Sequence, residues 1–79
     1  MIRHGIEVIR FIRDFRTTHP YGPTVREIAK GVGWRSTSTA HHVIDVLTYE
    51  GFVSQVPKIP RTINLTEKGV ELLGSSTHG

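Results

Sequence analysis

A mainly α-helical domain carrying one small β-hairpin is what this sequence predicts, and three observations predict it. Apolar residues recur at helical spacing between Ile2 and Phe15 and again between Ala40 and Leu47. Start and stop signals separate these stretches: a Thr24-x-x-Glu27 box, Ser36, and glycines at 33 and 51. Two β-favouring runs, Phe52–Val56 and Arg61–Leu65, then flank Pro57-Lys58-Ile59-Pro60. The 79 residues suffice for one domain and leave no room for a catalytic domain beside a binding domain. Hydrophobic residues make up 37% of them, which places the chain among folding sequences rather than disordered ones.

On a helical wheel the apolar residues of the first helix form two adjoining clusters, Val8/Phe11/Ile12/Phe15 and Ile2/Ile6/Ile9. Its remaining face carries Arg3, Glu7, Arg10 and Asp14, a ladder of alternating sign that compensates itself, while Arg13 and Arg16 fall outside the ladder and are freer to meet a polyanion. The helix is predicted to end before His19-Pro20, because Pro20-Tyr21-Gly22-Pro23 removes amide donors and biases the backbone towards a turn. Thr24-Val25-Arg26-Glu27 reads as a capping box that starts a second helix, with Val25, Ile28, Ala29 and Val32 facing inward and permissive glycines at 31 and 33 where it stops.

Trp34 is expected to pack into the core beneath the turn that follows. Ser36 is placed to cap a third helix running to Glu50, with Gly51 suited to the left-handed position after its end. The core stripe of that helix is Ala40, Val43, Ile44 and Leu47. Its opposite face carries Ser38, Asp45 and Tyr49, flanked by His41 and His42, and Tyr49 is expected to pack on the surface. The two β-favouring runs make a hairpin with a basic tip, Lys58 and Arg61. Thr66 caps a short last helix through Leu73. The expected organisation is a single domain over residues 1–74, with a helix-turn-helix at about 25–45, a wing at about 52–65, and a flexible tail at 75–79.

Two helices joined by a glycine-containing turn, the second with a small polar outward face, can enter the major groove of double-stranded DNA. The hairpin completes a winged helix-turn-helix. Ser36, Ser38, Thr39, His41 and His42 are the candidates for base or groove contacts, since they exchange hydrogen bonds at close range without bulk. Thr24, Arg26, Arg35, Lys58 and Arg61 are the candidates for phosphate contacts. The net charge of +3 is distributed unevenly: residues 1–35 hold seven Lys/Arg against three Asp/Glu, and residues 36–79 hold three against four. The presumed recognition helix must therefore rely on polar contacts, with cations at its edges.

The stretch Pro23-Thr24-x-x-Glu27-Ile28-Ala29-x-x-Val32-Gly33-Trp34-Arg35-Ser36, followed by Ala40, Val43-Ile44, Leu47 and Gly51-Phe52, resembles the N-terminal DNA-binding domain of LexA repressors. The likeness covers roughly residues 6 to 65. It implies a small transcriptional regulator of prokaryotic or phage type, in which the helix opening at Ser36 reads operator bases and the wing holds the backbone. Where the family carries an Asn and paired Glu in that helix, this chain has Ser38 and His41-His42, so the family's operator is not carried over. No self-cleaving Ser/Lys domain follows the wing in these residues, and no proteolytic switch is expected. Leu65 to Leu73 resembles the closing helix of other winged-helix regulators. Val70 and Leu73 are expected to pack on the Ile2/Ile6/Ile9 side of the first helix, and a homodimer seam is the rival use of that side.

Other chemistries are weakly supported. Cysteine is absent, which excludes disulfides, thiolate zinc sites and cysteine nucleophiles. His41 and Asp45 lie one helical turn apart, which suits an ion pair but supplies only two ligands, so no metal or other cofactor is predicted. Glycine-rich phosphate loops, Gly-x-Ser-x-Gly and His-Glu-x-x-His are missing, and an enzyme is not expected. Apolar runs are too short for a membrane span or signal peptide, so a cytoplasmic protein with no membrane partner and no small-molecule ligand is predicted. Double-stranded DNA is the expected partner, bound by a monomer or by a homodimer. The alternative is a winged-helix protein–protein interaction module that reads no DNA sequence.

Overall fold

The computed structural model describes residues 4–78. Four helices and one two-stranded antiparallel sheet follow one another as α1 (Gly5–Thr18), α2 (Val25–Gly31), α3 (Thr37–Tyr49), β1 (Val53–Ser54), β2 (Asn64–Leu65) and α4 (Glu67–His78). This is the winged helix-turn-helix that the sequence predicts.

Local chemistry sets the boundaries. The Thr24 hydroxyl accepts from the Glu27 amide at 3.1 Å and the Glu27 carboxylate accepts from the Thr24 amide at 2.8 Å, so the capping box is complete. Ser36 accepts from the Ser38 amide at 3.0 Å and starts α3, while Gly51, with φ of 88°, turns the chain out of it. Gly33, at φ 83°, makes the turn between α2 and α3. Gly31 has a different reason to lack a side chain: a Cβ there would overlap the ring of Phe11, so it is a packing requirement between α1 and α2 and not a stop signal.

The core is one cluster fed by every helix and the hairpin: Val8, Ile9 and Ile12 of α1, Ile28 of α2, Val43, Ile44 and Leu47 of α3, then Val53, Ile63 and Leu73. Complete burial of each large aliphatic side chain contributes about 1.5–3 kcal/mol. Trp34 lies half-buried against this cluster with its ring edge-on to His4, which agrees with a packing role. Ile9 is fully buried in the same core that Leu73 joins, so packing within the chain accounts for it. Ile6 is half-buried, and Ile2 lies outside the described residues.

Several expectations are corrected. Val70 is 56% exposed, and Leu72 joins Leu73 on the inner side of α4 instead. Tyr49 projects from α3 with 92% of its surface open and packs on almost nothing. The last helix continues past Leu73 to His78, because an exposed Gly74 costs only about 1 kcal/mol of helix propensity and does not forbid the conformation; of the expected tail, residues 75–78 are helical and Gly79 lies outside the described residues. The charge ladder on α1 is also rearranged. Asp14 pairs with its neighbour Arg13 at 3.0 Å, and Glu7 lies 3.9 Å from His4, whereas Arg3 is outside the described residues.

The hairpin ladder is shorter than predicted. Only Val53 pairs with Leu65 and Ser54 with Asn64, because beyond them the Val56 amide donates to the Thr62 side chain and the Arg61 carbonyl accepts from the Gly22 amide instead of pairing across the hairpin. Side chains close the loop in its place: Thr62 Oγ1 accepts from the Val56 amide at 2.9 Å and donates to the Ile59 carbonyl at 3.0 Å.

Candidate nucleic-acid interface

The inward stripe of α3 fixes what its outward face presents. With Ala40, Val43, Ile44 and Leu47 buried, residues 36–39, 41, 42 and 45 are all exposed. Ser36, Ser38, Thr39, His41 and His42 therefore share one open surface. Thr37 belongs to it as well, and its place in the first helical turn between two serines is the sequence signal for it. Asp45 makes no ion pair with His41 among the described residues. The Ser36 oxygen is already an acceptor in the helix cap, which leaves its proton free to donate outward.

A groove of about 330 Å³ runs between this helix and the wing. Thr24, His41, Lys58 and Arg61 all line it, together with Gln55 and the apolar Val56 and Ile59. The fold thus brings together four predicted residues from α2's cap, α3 and the wing loop. Arg26 and Arg35 are exposed at the first turn of α2 and just before α3, outside that groove. Gln55 is oriented by donating to Thr48 Oγ1 at 3.2 Å.

Lys58 and Arg61 are not equivalent. Both have positive φ, 68° and 63°, but among the described residues only Arg61 is paired: its Nη1 lies 3.1 Å from Glu27 Oε1 and its guanidinium carbon 4.7 Å from the centre of the Tyr21 ring. Arg61 sits at the wing's return, against α2, and not at its tip. Glu27 carries the corresponding signature. The Thr24 amide, donating to it, holds its carboxyl below the usual value of 4.5, against the opposing effect of partial burial and with Arg61 adding in the same direction.

Among the described residues no three His, Asp or Glu side chains converge as metal ligands. Within the same residues no helix is long and apolar enough to cross a membrane.

Residues 3–62 match the family described as the LexA DNA binding domain. The chain belongs to the LexA DNA-binding domain family. It is 46% identical over 67 residues to the LexA repressor of Oenococcus oeni, a match covering 85% of this chain and 32% of that protein. The LexA repressor of Leuconostoc mesenteroides is 42% identical over 74 residues, covering 91% of this chain and 35% of that protein. That of Limosilactobacillus reuteri is 43% identical over 67 residues, covering 85% and 32%. The chain therefore spans about a third of the length of these curated relatives. The family match includes α1, α2, α3, β1 and the wing loop, and stops at Thr62, short of β2 and α4.

Proposed function

We propose that this LexA-type domain binds double-stranded DNA sequence-specifically, by placing α3 in the major groove, and acts as a small transcriptional repressor in the cytoplasm. The observation that carries this reading is the outward face of α3: short or flat polar side chains, all exposed, on a helix whose position is fixed from behind by buried aliphatic residues. Ser36, Ser38, Thr39, His41 and His42 meet base edges or the groove wall. Arg26, Arg35 and Lys58 neutralise phosphates, and Thr24 donates its hydroxyl proton to one. No catalytic step and no cofactor enters this function.

Selection of bound duplexes from a random DNA pool tests the reading. Enrichment of one motif is expected, and a palindromic motif would indicate two copies on one site. With three cations each neutralising a phosphate, log affinity per domain should fall against log salt with a slope of about −3. A pool that stays random after selection would sink the proposal. It would favour the protein-interaction module, a reading supported by Val56 and Ile59, which leave 54% and 55% of their surface open on the wing.

A further inference from the structure

Three contacts hold Arg61. Its Nη1 donates to Glu27 Oε1 at 3.1 Å, its guanidinium lies over the Tyr21 ring at 4.7 Å, and its backbone carbonyl accepts from the Gly22 amide at 3.1 Å. Glu27 closes the cap of α2, while Tyr21 and Gly22 belong to the turn before it. Gly22 itself lies so close to the Ile63 backbone that a side chain there would overlap the Ile63 carbonyl. Between the wing and the helix-turn-helix, Arg61 is thus a tie that joins one end of the loop to the start of α2. The left-handed backbone at φ 63° is unfavourable for a residue with a side chain and persists where surrounding contacts over-determine it.

Electrostatics point the same way. A guanidinium already paired with a carboxylate and resting on an aromatic face offers a phosphate less net charge than Lys58, which has no ion pair among the described residues. We propose that Arg61 is a positioning residue: it fixes the wing against α2 so that Lys58 meets the DNA backbone, and it does not itself neutralise a phosphate. This rests on the DNA-binding reading above.

Glu27→Gln separates the two roles, because glutamine at this position keeps the capping box while removing the ion pair. The probe is a duplex recovered by selection with the wild-type chain, titrated well below every variant's melting temperature. Positioning requires Glu27→Gln and Arg61→Gln each to weaken binding about three- to fivefold, the scale of one exposed ion pair. The double variant should be no weaker than the worse single one. In a Lys58→Gln background neither change should cost anything further. If Arg61 were a phosphate contact, Glu27→Gln would bind as well as wild type or better, and Arg61→Gln would lower the salt slope by about 1 even without Lys58; either result overturns the proposal. Variants that melt earlier yet bind equally well at low temperature would assign Arg61 to stability alone and overturn it too. A wild-type chain that selects no duplex refutes DNA binding itself, which is distinguishable from a wild type that binds and a Glu27→Gln variant that binds equally.

Discussion

The third helix and the wing border the same groove, but they are held there by different means. Helix α3 is anchored by its buried side, Ala40, Val43, Ile44 and Leu47, and none of these residues lines the groove. The wing has two-residue strands, and beyond them, apart from the buried Ile63, it depends on polar side chains: Thr62 bonds Val56 and Ile59, and Arg61 bonds Glu27. On the helix, then, position and recognition chemistry are carried by separate residues. In the wing the side chains that fix its position, Arg61 and Thr62, line the groove themselves beside Lys58, so a substitution there changes geometry and groove surface together.

The largest expected effect tests the helix side of this contrast. Leu47→Ala removes a completely buried side chain on the inner side of α3 and should cost about 2–5 kcal/mol, read as a lower urea midpoint with an unchanged denaturant slope. A loss below about 1 kcal/mol would mean that α3 is held by something other than its apolar stripe.

An intermediate effect tests the wing side. Because the carboxyl of Glu27 is held below 4.5 in the folded chain, its contribution to stability is present above that value and disappears as pH falls through the lower folded pKa. Wild type should exceed Glu27→Gln by about 0.5–1 kcal/mol near pH 6, and the two should converge as pH falls through the lowered folded pKa of this carboxyl. The exposure of the pair to solvent also predicts that the gap narrows at high salt. A gap that did not shrink on acidification would show that the charged pair with Arg61 does not hold the wing.

Much of this molecule was legible in the sequence because its decisive signals are local. Thr24 with Glu27, Ser36 with the Ser38 amide, and Gly51 each act within a few residues, and the core stripe of α3 follows from helical periodicity alone. The outward face was readable by subtraction from that stripe. What escaped depended on contacts far apart in the chain. Arg61 looked like a free tip cation because its partner, Glu27, lies 34 residues away, and Glu27 already had a sufficient local role in the cap. Gly31 has the local look of a stop signal, whereas Phe11 of another helix occupies the space of its missing side chain. Val70 faces outward, against the expectation, because the facing of α4 is set by where the hairpin delivers the chain, with the Thr66 amide bonded to the Phe52 carbonyl at 3.1 Å and its hydroxyl to the Gly51 carbonyl.

The smallest expected effect on stability is the most demanding test of the contrast. Ser38→Ala and His42→Ala alter exposed side chains of α3 that take no part in the core, so each should change folding free energy by less than about 0.5 kcal/mol. Affinity for a selected duplex should nevertheless fall about tenfold for each, the scale of one lost base contact. The salt slope should stay constant, since neither change removes a lysine or arginine. If either variant proved destabilised by several times that amount, the outward face would be helping to hold the helix. The separation of position from recognition would then fail where it is most clearly drawn, and α3 would resemble the wing.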